Sequence, residues 1–265
     1  MPKIKVNDIN IYYESHGDGF PLIMIFGLSV CLKVWDAPLI SAVSKRFKTI
    51  LFDNRGAGQT DIPEGEYTIK MMADDTVGLM DALNIECANV LGFSMGGIIA
   101  QELALNYPEK VEKLILWSSA CGGRKTIPPL LAAYKFLFGA IEGLTPERMA
   151  KSTIPLIFTK EFIKNNPEYI TDKIQRILKC RIPYSSYVRQ IKALINGNTC
   201  RRLKKLNTPT LIMQGKEDII DPPKNGEILA ELIPNAKLVL FEKSAHAIFP
   251  HEPELFLKTL FEFLG

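Results

Sequence analysis

The stretch whose reading decides the fold is Ala88-Asn89-Val90-Leu91-Gly92-Phe93-Ser94-Met95-Gly96-Gly97-Ile98-Ile99. An apolar run of strand character, residues 88–91, meets a helical run over 95–106, and a serine flanked by glycines stands at the junction. A serine hydroxyl can project from so sharp a turn only if its neighbours two residues away carry no clashing side chains. The helix that starts there aims free N–H groups and the positive end of its dipole at the same point. Ser94 is therefore the candidate nucleophile. The N–H of Met95, next in the chain, is a candidate donor to an oxyanion.

Working outward, residues 4–6 and 9–14 alternate around the turn pair Asn7-Asp8 and predict a hairpin. Buried strands are expected at 21–26, 48–52, 114–117, 209–213 and 237–241, and helices at 36–44, 69–83, 225–232 and 253–263. Strands alternating with helices mean a mostly parallel sheet covered on both faces. The rhythm breaks after Gly122-Gly123: from 128 to about 195 only short amphipathic stretches occur, interrupted by prolines. The expected organisation is a core made of 1–121 and 207–265, with a helical cap inserted at 122–206. Charge marks the same segment. Residues 122–206 hold 17 Lys and Arg against 5 Asp and Glu, while the rest of the chain holds 15 against 24. The basic residues are spaced like solvated helix faces and not like a nucleic-acid footprint, so no nucleic-acid partner is expected.

A serine hydroxyl needs a base to take its proton. Of the three histidines, His16 sits in a turn and His251 just ahead of the last helix, where structural roles suffice. His246 lies in the loop after the last strand, at the carboxyl edge where Ser94 also opens, and is the candidate base. An acid must then fix its tautomer. The segment Gly215-Lys216-Glu217-Asp218-Ile219-Ile220-Asp221, after the strand at 209–213, offers Glu217, Asp218 and Asp221. Spacing alone does not choose among them. A second oxyanion donor is expected from the loop Phe26-Gly27-Leu28-Ser29, at the N–H of Leu28.

With these residues in view, the chain resembles the α/β-hydrolase superfamily, and within it the group of esterases, 3-oxoadipate enol-lactonases and cofactor-free haloperoxidases. The likeness is carried by Leu22 to Leu28 with Trp35 after it, by Phe52-Asp53-Asn54-Arg55-Gly56-Ala57-Gly58-Gln59-Thr60-Asp61, by Gly92 to Gly97, by Gly215 to Asp218 and by His246. It implies an eight-stranded, mostly parallel sheet with an inserted cap, and it selects Asp218 as the acid. It departs from the commonest pattern at Phe26, where a histidine is usual, at Thr60 in place of a serine, and at His251 in place of a glutamate. The implied chemistry is cleavage of a small-molecule carboxylic ester, short to medium in its acyl chain, through an acyl-enzyme. An enol-lactonase, thioesterase, C–C hydrolase or perhydrolase could use the same triad, and a ligand receptor could retain it without turnover.

The cap should cover Ser94, with Phe136, Phe138, Phe158, Phe162 and Tyr187 as candidate pocket residues. If Arg124, Lys125, Arg181 or Arg189 faced inward, carboxylate-bearing substrates would be favoured. No run is long enough to span a bilayer, and no signal-peptide h-region is read at the start. Five widely spaced cysteines, without a C-x-x-C pair, argue against a disulfide framework or zinc site and suit a reducing cytoplasm. No metal or other cofactor is expected, and oligomeric state is not read from the sequence.

Overall fold

The computed structural model describes residues 3–138, 145–180 and 182–265, and only the backbone of 135, 136 and 138. The chain opens with the hairpin of β1 (Lys3–Val6) and β2 (Ile9–His16), turning at Asn7 with φ 51°. The strands β3 (Pro21–Ile25), β4 (Lys48–Phe52), β5 (Ala88–Phe93), β6 (Val111–Trp117), β7 (Thr210–Gly215) and β8 (Lys237–Phe241) complete an eight-stranded sheet of order β1-β2-β4-β3-β5-β6-β7-β8. Its first two pairings, β1 with β2 and β2 with β4, are antiparallel and the rest parallel. The run Leu22-Ile23-Met24-Ile25 shows why a central strand has no polar face. Leu22 and Met24 point into the core on one side of the sheet, Ile23 and Ile25 into the core on the other, and all four are fully buried. Each such side chain contributes about 1.5–3 kcal/mol.

Helices α1 (Ala37–Val43), α2 (Ile69–Ala82) and α3 (Met95–Asn106) connect the first parallel strands. Between β6 and β7 come α4 (Leu131–Phe138), α5 (Pro146–Ile157), α6 (Lys160–Asn165), α7 (Pro167–Leu178) and α8 (Tyr184–Asn196), with no strand among the described residues there. After β7 follow α9 (Lys224–Leu232), α10 (Ile248–His251) and α11 (Pro253–Leu264). No described helix is long and apolar enough to cross a membrane. Ala193, Cys200, Leu203 and Leu206 belong to the core that α2 and α3 cover, so the end of the 122–206 segment packs with the sheet.

The cysteine expectation is overturned. Disulfides join Cys31 to Cys180 and Cys121 to Cys200, leaving Cys87 free. The partners are 149 and 79 residues apart in sequence, and only the topology brings them together. Cys121 and Cys200 stand where the chain leaves the sheet and returns to it. There a bridge between Gly122 and Asn198 and the bond from Thr199 N–H to Cys121 O (2.9 Å) close the base of the insertion. Cys180, just after α7, ties the far side of the insertion to the loop after β3. A buried ionic cluster reinforces that contact: Asp36 accepts from Tyr169 Oη (2.7 Å), Lys173 Nζ (3.0 Å) and Arg176 (3.3 Å), all on α7.

Candidate active site

Ser94 ends β5 and starts α3 with φ 56° and ψ −123°, a conformation that L residues seldom adopt. Its backbone is held from three sides: its N–H donates to Trp117 O (2.9 Å), and its C=O accepts from Gly97 N–H (2.8 Å) and Ser119 Oγ (2.9 Å). A Cβ on Gly92 would stand 2.3 Å from Gly96 O, and one on Gly96 2.2 Å from Ile25 O. The two glycines are thus required by close approach of main chain to main chain.

His246 and Asp218 come from the loops after β8 and β7. His246 Nδ1 and Asp218 Oδ2 are 2.8 Å apart, with both side chains buried. The other oxygen of Asp218 accepts N–H bonds from Ile220 and Asp221, each 2.9 Å, so the carboxylate is fixed before it meets the ring. The main chain of His246 is pinned in turn: its C=O accepts from Trp117 Nε1 (3.2 Å) and Ser118 Oγ (2.9 Å). Burial alone would lower the imidazole pKa, but the charge and hydrogen bond of Asp218 outweigh it and hold His246 above the ordinary histidine value. Ser94 and His246 line one cavity, although no hydrogen bond joins them here. Such contacts are often long in a site without substrate.

Asp221 is the acid that the elbow logic leaves over. It lines the cavity, and burial first, then the neighbouring Asp218, push its carboxyl up to about 7, with His246 and Asn225 acting in the opposite direction. Leu28 and Met95 also line the cavity beside Ser94. In the Leu28 loop, Phe26 packs on Trp35 with ring centroids 4.1 Å apart, and its C=O accepts from Asn54 Nδ2 (3.0 Å). An aromatic contact thus fills the position where a histidine is usual.

The cavity measures about 1000 Å³, at the top of the range for small-molecule sites. Tyr187 lines it, with its hydroxyl donating to Leu137 O (2.5 Å). Phe158 and Phe162 do not. They stack on each other (5.3 Å) beside Tyr169 and His251, packing the insertion against the core. The side chains of Phe136 and Phe138, and all of Arg181, lie outside the described residues. Arg124, Lys125 and Arg189 are not on the cavity wall: the first two are exposed, and Arg189 donates to Pro63 O (3.2 Å). Among the described side chains, the lysine that lines the cavity is Lys173, and it is paired with Asp36.

Several supporting contacts escape a reading of the sequence. Gln190, fully buried on α8, accepts from Ser29 N–H (2.8 Å) and donates to Arg55 O (2.9 Å), holding the Leu28 loop from above. Asp53 accepts from Leu32 N–H (2.7 Å) and Gln59 N–H (2.8 Å), and Arg55 pairs in buried surroundings with Asp75 (2.6 Å). His251, read as structural, uses both ring nitrogens: Nε2 accepts from Thr159 N–H (3.2 Å), so Nδ1 carries the proton and donates to Ala247 O (2.7 Å). A glutamine amid the apolar spacing of α8 was the one available signal for Gln190. Among the described residues no group of side chains could hold a metal ion.

A model of the α/β-hydrolase fold family matches residues 21–253. A putative carbamate hydrolase, RutD, of Azorhizobium caulinodans is 28% identical over 268 residues, covering 100% of this chain and 98% of its own. The crystal structure of an enol-lactonase from Burkholderia xenovorans superposes with TM-score 0.87 at 27% identity, covering 99% of each chain. An esterase from Exiguobacterium antarcticum does so with TM-score 0.85 at 26% identity, over 99% of this chain and 98% of its own.

Proposed function

Because this chain belongs to the α/β-hydrolase fold family, we propose that it is a serine hydrolase cleaving carboxylic esters through an acyl-enzyme. One observation carries this reading: the 2.8 Å bond between His246 and Asp218 lies at the cavity that also holds Ser94 in its strained turn. Ser94 Oγ attacks the ester carbonyl while His246 takes its proton, and Asp218 stabilises the imidazolium. The N–H groups of Leu28 and Met95 receive the oxyanion. His246 then protonates the leaving alcohol, and water repeats the sequence to release the acid.

The cavity, walled by Trp35, Trp117, Met149, Ile157 and Tyr187 among others, moves the expected acyl or alcohol group upward in size, from short towards medium and aromatic. Lactones are the second reading, favoured by the likeness to the enol-lactonase. The two disulfides suit an oxidising compartment better than the cytoplasm.

A panel of nitrophenyl esters and lactones, run on purified protein beside Ser94→Ala, tests the reading. The expected outcome is turnover by the unmodified protein and a loss of about 10⁴-fold or more in the variant. Equal rates in both, or no turnover of any member, would sink it, the latter in favour of a ligand receptor.

A further inference from the structure

Among the described residues, four Asp, Lys or His side chains line the cavity: Asp36, Lys173, Asp221 and His246. Three are already satisfied. Lys173 Nζ lies 3.0 and 3.2 Å from the two oxygens of Asp36, and His246 is bound to Asp218. Asp221 differs. Its main chain is engaged, with N–H donating to Asp218 Oδ1 (2.9 Å) and C=O accepting from Gln214 Nε2 (2.8 Å). Its carboxyl has Asn225 Nδ2 at 3.5 Å, the long limit of a hydrogen bond, and that amide makes its better contact, 2.9 Å, with Ile127 O. The charged groups that act on it are His246 and Asp218. Asp221 is half-buried, and a carboxyl partly withdrawn from water without a paired cation resists ionisation. A positive group arriving in the cavity would reverse that.

The walls suit such a group. Trp35, Phe93, Trp117, Tyr184 and Tyr187 line the cavity, and aromatic rings attract cations through their quadrupole. Among the described side chains, the basic residues singled out in the insertion do not oppose it from within: Arg124 and Lys125 are exposed, Arg189 donates to Pro63 O and the lining lysine is paired. We propose that Asp221 is the recognition group for a cationic nitrogen, so that the favoured esters carry an amine or quaternary ammonium near the scissile carbonyl. The substrate class rests on the ester-hydrolase reading, whereas the binding preference does not.

Two nitrophenyl esters of equal acyl length serve as probes, one ending in trimethylammonium and the other in the isosteric tert-butyl group. The ratio of their kcat/KM values, divided by the ratio of their hydroxide-catalysed rates, isolates recognition from reactivity. At pH 8 the corrected ratio should be at least about tenfold in favour of the cation, as expected for one charge-assisted contact. It should fall towards one in Asp221→Asn and survive in part in Asp221→Glu. It should also shrink as the pH falls through 7, because protonation removes the charge on Asp221. Calorimetric binding of the corresponding ammonium and tert-butyl alcohols to Ser94→Ala protein reads the same preference without turnover. A tenfold preference there, abolished by adding Asp221→Asn, upholds the proposal even if neither ester is cleaved. An unchanged ratio in folded Asp221→Asn protein, or no preference for the cation in either assay, overturns it while leaving ester hydrolysis standing.

Discussion

The carboxyl edge of the sheet and the inserted helices face each other across one cavity, yet they hold their side chains by different means. At the edge, main chain does much of the holding, helped by the side chains of Trp117, Ser118 and Ser119. Ser94 is fixed by bonds to Trp117 O and from Gly97 N–H, and Asp218 by the N–H groups of Ile220 and Asp221. In the insertion, side chains do it: Asp36 gathers Tyr169, Lys173 and Arg176, Gln190 reaches down to Ser29 and Arg55, and a disulfide ties Cys180 to Cys31. A main-chain frame tolerates change around it, because its donors and acceptors do not depend on residue type. A frame of side chains is only as durable as each residue in it. Substitutions at the edge should therefore remove chemistry and spare the fold, and substitutions at the insertion contacts should do the reverse.

The largest effect expected is at the edge. Asp218→Asn should keep the geometry but present His246 in the wrong tautomer, lowering kcat by about 10⁴-fold with little change in melting temperature. Steady-state kinetics and a thermal melt on one preparation check it, and a loss below tenfold would move the acid elsewhere. Next comes the latch between core and insertion. Asp36→Ala leaves Lys173 without its carboxylate in buried surroundings, while Arg176 keeps Asp172 (2.8 Å), and should cost about 3–5 kcal/mol in urea denaturation. A cost under about 1 kcal/mol would show that the contact is dispensable and the contrast overdrawn. Smallest is the loss of a sulfur tie. Replacing Cys31 and Cys180 together by serine should lower stability by about 2–4 kcal/mol, with reductant having no further effect on that pair. A variant as stable as the parent would mean that the tie does not constrain the unfolded chain.

The same contrast explains how much could be read in advance. Elements of the sheet were legible because their signals are local: the helix at 95–106 and the strand at 48–52 begin and end where apolar spacing and glycine placement put them. The strand ending at Trp117 starts earlier than its apolar run, at Val111, because Glu112 and Lys113 lie on its more accessible first turn of pairing. His246 and Asp218 meet because strand ends share an edge, a rule of topology that needs no side-chain detail. The insertion offered no such rule. Apolar faces on its helices said that Phe158 and Phe162 would be buried, but not that they would face each other and His251 instead of the cavity. Its basic residues, spaced like solvated helix faces, gave no sign of the charge on the wall, where among the described residues Asp221 stands without an ionic partner. The cysteine pairs were invisible for the same reason, since nothing local marks partners that far apart.

The closure at the base of the insertion has a wider meaning. The Cα atoms of Cys121 and Cys200 lie 5.0 Å apart, less than the span of two extended residues. Seen from the sheet, the chain between them could be as short as a tight turn. Changes of length between α4 and α6 need not ask the core strands to move, whereas α7 and α8 stay bound to the core through Asp36, Cys31 and Ser29. Reshaping that part of the roof is thereby separable from rebuilding the floor, and a lineage could explore new substrates there while Gln190 keeps its hold on the loop beside the reacting groups.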